Sequence, residues 1–246
     1  MKKPALMLVL AMALSLPAAS GQYSEKAGFA DSARVWNDLV RITGTPRFRN
    51  YRNIDILDSV AAYIQSELAG ACDTVWYQPF TVNGAEYRNV IGSLGPRDAP
   101  RIIIGSHYDV CGDQPGADDN ASGVAGLLEL ARLLSKDTLK YRIDLVAYTL
   151  EEPPFFRSNG MGSYIHAKSR YDQKIPVKGM ICLEMIGYYN DAPGSQRYPL
   201  GLLKLFYGKK GDFITVVGKF GGGAFAKRIA NLMKKHRLVK TRSFKG

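Results

Sequence analysis

Cysteine and histidine are both scarce in this chain of 246 residues, at three each. Cys72, Cys111 and Cys182 form no C-x-x-C pair, which removes thiolate zinc sites and dithiol redox chemistry from consideration. In an oxidising compartment one pair would be free to bridge, and spacing does not choose which. Cys182 sits in a strand-like apolar run and reads as ordinary core. No internal repeat and no long low-complexity stretch is present, which excludes repeat arrays and disordered linkers as the main architecture. Acids are outnumbered, 22 against 33 Lys and Arg, for a net charge of +11. From Gly201 onward Asp212 is the only acid. Such an excess suits polyanions, yet KKHR at 234–237 falls late in a helical pattern, where cations complement the helix dipole. No nucleic-acid motif surrounds it, so a solvated basic face is expected and no nucleic-acid partner.

Long apolar runs are also missing, with one short exception. MKKPALMLVLAMALSLPAASGQ places Lys2 and Lys3 before an apolar run from Ala5 to Leu16, then Ala18, Ala19 and Ser20. This is the layout of a secretory signal peptide over residues 1–20, with cleavage before Gly21. The run is shorter than the ~20 residues that span a bilayer, and no cysteine follows it to carry a lipid. The expectation is an exported protein without stable membrane insertion, whose residues 21–246 form the mature domain. Nothing in the sequence indicates an oligomeric state.

What is present is an α/β alternation in a chain that is 46% apolar, enough for one large domain with a real core or two small ones. Apolar spacing predicts helices over 31–42 and 54–68. TVWYQPFTV (74–82) and YRNVIGSLG (87–95), joined through NGAE, predict a hairpin. RIIIGSHYDV (101–110) opens with a run typical of a strand buried on both faces. A helix follows from ASGVAGLLELARLLS, with Val124, Leu127, Leu128, Ala131 and Leu134 on one face. IDLVAYTL (143–150) reads as a further strand, then a helix from about Met161 to Ser169. KGMICLEMIGYY (178–189) and FITVVGKF (213–220) read as strands again. The expected fold is a single α/β domain with a central, mostly parallel mixed sheet flanked by helices.

Placement of polar residues on that pattern is informative. His107 and Asp109 fall at the carboxyl end of one strand, and Asp118 and Asp119 just before the next helix. Glu151 and Glu152 end a second strand, and Glu184 ends the apolar core of a third. Sites collect at the carboxyl ends of strands in open α/β sheets. Unpaired buried carboxylates would cost several kcal/mol each, a cost that a shared divalent cation offsets. One His with several carboxylates suits zinc. In PGADDNASG (115–123) a single Asp or Asn would suffice to cap the following helix, so the surplus acid points to a ligand.

SHYDV, PGADDNASG, YTLEEP and LEMIGY, in this order and spacing, resemble the co-catalytic di-zinc aminopeptidases. That wider group includes glutamate carboxypeptidases and the single-zinc glutaminyl cyclases. The resemblance runs from about Asn89 to Phe220. It implies that His107 binds one zinc and that Asp109 orients the ring from behind. Asp119 would bridge two zincs, its peptide bond to Asn120 being cis in many members, with Asp118 a neighbour. Glu152 would bind the second zinc, and Glu151 would be the general base that takes a proton from the attacking water. Glu184 stands where many members have Asp, and glutamate ligates zinc equally well. The family's last zinc ligand is a His in a Ser-Asp-His segment, for which this chain has no counterpart. His166, in GSYIHAKS, reads as structural, and His236 lies in KKHR. The chain as given thus looks C-terminally shortened, with the second zinc lacking one ligand. The resemblance implies a zinc-dependent exopeptidase acting on peptide substrates. A glutaminyl cyclase and a non-catalytic binding protein on the same scaffold remain the alternatives.

Overall fold

The computed structural model describes residues 29–198, 205, 207–219, 224–237 and 239–245. The signal-peptide expectation for residues 1–20 lies outside them. The described residues fall into two compact units, Phe29–Ile186 and a smaller one within Gly187–Gly246.

The larger unit is built on a five-stranded sheet of β1 (Thr74–Val82), β2 (Ala85–Leu94), β3 (Arg101–His107), β4 (Arg142–Tyr148) and β5 (Val177–Cys182), in the order β1-β2-β4-β3-β5. It is mixed: β1, β2 and β4 run antiparallel in turn, while β3 is parallel to both β4 and β5. The β1–β2 hairpin closes through Asn83 and Gly84, both at positive φ (52° and 80°), the two-residue turn whose twist matches the strands. β4 is buried along its whole length and β3 nearly so, which accounts for their unbroken apolar runs.

Three helices form a layer on this sheet. They are α1 (Ser32–Thr43), α2 (Ile54–Ala69) and α3 (Gly123–Leu134). Asp31 caps α1 by accepting the Ala33 and Arg34 N–H groups. α2 buries Ile56, Leu57, Val60, Ala61, Ile64 and Leu68 against β1 and β2. α3 is buried nearly all round, Leu130 and Glu129 included, so its core face is wider than a single stripe. The buried Glu129 is paired with Arg34, and Arg132 ties Asp38 of α1 to Glu67 of α2. A fourth helix, α4 (Gly162–Asp172), packs against β1 and β2.

Gly123 shows how closely these layers meet. A Cβ there would lie 2.4 Å from Asn120 Oδ1, 2.4 Å from Ser106 Oγ and 2.7 Å from the Leu183 carbonyl. Gly123→Ala is therefore expected to cost about 1–3 kcal/mol of stability through overpacking, read as a lowered urea midpoint. A midpoint equal to wild type would show that the helix start yields freely.

The strand expected over 178–189 stops at Cys182. Leu183 N–H still bonds the Gly105 carbonyl of β3 (2.8 Å), but beyond it the donors leave the ladder: Met185 N–H goes to Asn120 Oδ1 (3.3 Å) and Ile186 N–H to Ser122 Oγ (3.1 Å). Side chains of the acidic turn thus take over the donors that a longer strand would have used. The segment 213–220 also departs from the central sheet. β6 (Phe213–Gly218) pairs in parallel with β7 (Lys240–Lys245), across α5 (Phe225–His236), in the smaller unit. α5 buries Ile229, Ala230, Leu232 and Met233 and exposes Lys227, Arg228, Lys234 and Lys235, so its basic residues form a polar face. No helix among the described residues is long and apolar enough to cross a membrane.

Candidate metal centre and active site

Parallel pairing puts the carboxyl ends of β3, β4 and β5 at one edge of the sheet, with His107 opposite Tyr148 and Gly105 opposite Cys182. The chain segments leaving those three ends supply His107 and Asp109, Glu151 and Glu152, and Glu184. The turn Ala117–Ser122, which leads into α3, supplies Asp119.

His107 is the centre of the arrangement. It is 7% exposed, and its Nδ1 faces the Asp109 backbone carbonyl at 3.1 Å and the Asp109 carboxylate at 3.5 Å. With Nδ1 directed there, Nε2 is the nitrogen that faces the other acids and would bind a metal set among them. Nε2 lies 3.3 Å from Asp119 Oδ1 and 3.6 Å from Glu184 Oε1. His107, Asp119 and Glu184 present donor atoms that all lie within 4.8 Å of one another. Burial alone would depress the His107 imidazolium, but Asp109, Asp119 and Glu184 outweigh it and raise its pKa. In return, His107 holds the Asp119 carboxyl below its ordinary range.

Asp119 Oδ1 is buried yet has no hydrogen-bond partner. A buried carboxylate oxygen set toward a histidine nitrogen and a second carboxylate is a cost without a cation and a ligand with one. The donor set of one imidazole and carboxylates fits zinc.

The other acids of PGADDNASG divide the work. Asp118 directs its carboxylate toward Ser122 Oγ (3.3 Å). Asn120, fully buried, caps α3 by accepting the Gly123 N–H (3.2 Å). Its amide donates to the Leu183 carbonyl (2.9 Å) and to Glu184 Oε2 (3.0 Å). Capping therefore falls to Asn120, which leaves both acids for other tasks and holds Glu184 in place. The Asp119–Asn120 peptide bond is cis, as the resemblance implied.

Asp109 is 2% exposed, and its carboxylate accepts the backbone N–H groups of Glu151 (3.3 Å) and Glu152 (3.2 Å). One side chain thus orients the His107 ring and fixes the turn that carries both glutamates. Glu152 lies beside Asp119, outside the three-donor cluster, and its pKa is raised by burial and then by the Asp119 charge. Glu151 is gripped by one residue: Ser163 N–H donates to Oε1 and Ser163 Oγ to Oε2, each at 2.7 Å. Burial raises the Glu151 carboxyl against the pull of those two bonds. Ser163 has no signal in the sequence, since a serine in a helical first turn ordinarily reads as a cap.

These groups line a cavity of about 270 Å³ with Tyr148, Phe156, Met161, Met180 and Cys182. Cys182 is therefore not core; β5 is an edge strand and turns this thiol toward the cavity. All three cysteines are unpaired. His166 stands apart from the donor cluster: it is 1% exposed and its Nδ1 meets the Tyr148 hydroxyl at 3.1 Å. His236 ends α5 in the smaller unit.

Burial pushes the His166 pKa down to about 4. The unfolded chain, with an ordinary histidine near 6.5, binds a proton that the fold refuses. This contribution to stability is complete above pH 6.5 and drains away as the pH falls from there toward 4, by about 3 kcal/mol. Urea unfolding of wild type and His166→Phe at pH 7 and pH 4 checks it: wild type loses about 3 kcal/mol more than the variant. Parallel losses would place the acid sensitivity elsewhere.

The fold is that of the zinc-aminopeptidase class. LapA aminopeptidase of Legionella pneumophila superposes with a TM-score of 0.66 at 21% identity, over 87% of this chain and 54% of that one. A glutaminyl cyclase of Bacteroides thetaiotaomicron bound to N-acetylhistamine superposes with a TM-score of 0.55 at 22% identity, over 67% of this chain and 64% of that one. Residues 89–228 match the model of peptidase family M28, and the chain belongs to that family. Uncharacterized protein YfbL of Escherichia coli (strain K12) is 50% identical over 186 residues, covering 72% of this chain and 57% of YfbL. The chain thus spans little more than half the length of YfbL and of LapA.

Proposed function

We propose that this protein is an exported, zinc-dependent exopeptidase that removes N-terminal residues from peptides. The observation that carries the reading is the convergence of His107 Nε2, Asp119 Oδ1 and Glu184 Oε1 beside the Ser163-held Glu151, in one cavity. His107, Asp119 and Glu184 would hold one zinc, and Glu152, beside Asp119, would be a ligand for a second. Zinc in such a site supplies Lewis acidity and brings the pKa of water down toward neutrality. Glu151 accepts the proton of the attacking water, and burial tunes its carboxyl upward for that task. The proton then passes from Glu151 to the leaving amine nitrogen as the peptide bond breaks. Asp109 keeps the His107 tautomer and the Glu151–Glu152 turn aligned. The carboxylates of the cavity attract the substrate ammonium, and Phe156, Met161 and Met180 offer an apolar wall to its side chain. Export rests on the charge and apolar layout of residues 1–20.

Zinc per chain by elemental analysis, after saturation and desalting, tests the reading together with hydrolysis of aminoacyl substrates. Bound zinc with chelator-sensitive release of the N-terminal residue is the expected result. No retained zinc and no hydrolysis would leave a non-catalytic binding protein on this scaffold. Similarity to the Bacteroides glutaminyl cyclase favours a second reading. It is tested on peptides with N-terminal Gln: accumulation of pyroglutamyl product without hydrolysis would replace the peptidase assignment.

A further inference from the structure

Arg49 is 1% exposed and is the largest fully buried side chain of the molecule's described residues. Buried arginines ordinarily sit against carboxylates, as Arg142 does with Asp73 here. Among the described residues no carboxylate lies within ion-pair distance of Arg49. Its guanidinium instead donates to backbone carbonyls alone: Nε to Tyr108 (2.8 Å), Nη1 to Pro115 (2.5 Å) and to Ile42 (3.4 Å), and Nη2 to Gly116 (2.8 Å). The Arg49 carbonyl in turn accepts the Val110 N–H at 3.0 Å.

Those partners bracket one segment. Tyr108 stands between His107 and Asp109, and Pro115 and Gly116 open the turn that carries Asp119. Asn50 adds a bond to the Gly112 carbonyl (2.9 Å) and one to Asp113 Oδ1 (3.0 Å). Gly116 has φ of 57°, and a Cβ there would lie 2.3 Å from Val110 Cγ1, 2.4 Å from the Asp119 carbonyl and 3.1 Å from Arg49 Nη2. The loop is therefore pressed flat between the guanidinium and Val110. A planar fork of fixed donors meets several carbonyls at once, which a single ammonium cannot do.

We infer that Arg49 is a positioning residue for the metal centre: its guanidinium locks the backbone of residues 108–116 so that Asp119 is held against His107. This inference rests on the metal-site reading above.

The test uses the full chain with Arg49→Met, Arg49→Lys and, as a control, Arg132→Met, which removes a half-buried, carboxylate-paired arginine from the helix layer. Zinc affinity is measured by competition with a chromophoric chelator, and amide hydrogen exchange is followed on the zinc-free protein. Arg49→Met is expected to bind zinc at least ~10-fold more weakly, the scale of lost supporting partners in metal sites. Residues 110–118 exchange faster in it, while Arg132→Met matches wild type in both readouts. Arg49→Lys, which keeps the charge but not the fork, recovers less than about half of the lost affinity on a logarithmic scale. Wild-type affinity and wild-type exchange in Arg49→Met would overturn the inference, as would an equal loss of affinity in Arg132→Met. If Arg49→Met does not fold, Arg49→Lys decides alone, weaker zinc binding and faster exchange being expected and wild-type behaviour in both overturning it. If wild type itself retains no zinc, the metal-site reading fails separately, and exchange of 110–118 still decides whether Arg49 locks the loop.

Discussion

Asp119→Ala is expected to abolish zinc retention, whereas Asp118→Ala leaves it intact. Asp119 Oδ1 is buried, unpartnered and 3.3 Å from His107 Nε2. Asp118 faces Ser122 instead. Loss of a supporting partner in a metal site weakens binding about 10- to 100-fold, so loss of a shared ligand exceeds ~100-fold. Elemental analysis after desalting reads this directly, and a shared ligand has a distinctive signature: every zinc departs together. If Asp119→Ala kept one zinc, the carboxylate would serve a single ion. If Asp118→Ala lost zinc and Asp119→Ala did not, the two neighbours would exchange roles.

The second large effect belongs to Glu151. Glu151→Gln is expected to keep zinc and substrate affinity while lowering kcat by roughly 10²–10⁴, the usual contribution of a positioned general base. The amide fits the grip already in place. Its oxygen accepts the Ser163 N–H, and its NH₂ donates to Ser163 Oγ once that hydroxyl rotates. Geometry is thus retained and only proton acceptance is lost. An unchanged kcat would move the base to another carboxylate of the cavity, Glu152 first. A parallel loss of zinc would show Glu151 to be a ligand. The two substitutions separate the roles, since one removes the ion with the rate and the other the rate alone.

Several features of the site were readable because they are local. The strand ends at His107 and Glu151 follow from apolar runs broken by charge, and the acids of PGADDNASG exceed what a helix cap consumes. Other features were not readable. Ser163 lies 12 residues from Glu151, and its two bonds to that carboxylate exist only because α4 begins where the β4 turn returns. Arg49 had no signal at all, since a basic residue among basic residues reads as solvated surface. Cys182 was misread as core because an edge strand and a central strand share the same apolar composition.

The sequence by itself determined the element order as far as β6, the hairpin with its Asn83–Gly84 turn, the buried strands and the placement of acids at their carboxyl ends. Each follows from periodicity, turn chemistry or the cost of burying charge, all properties of neighbours along the chain. Only the tertiary structure decided which acid does what. Asn120 took the cap, Asp118 turned to Ser122, and Asp119 was left without a hydrogen-bond donor beside His107. It also decided that the chain leaves β3 just past Leu183, because Asn120 and Ser122 claim the Met185 and Ile186 donors while the Asn120 amide holds Glu184 at the site. Those outcomes depend on competition among donors and acceptors that are some 60 residues apart in the chain and adjacent only in the fold.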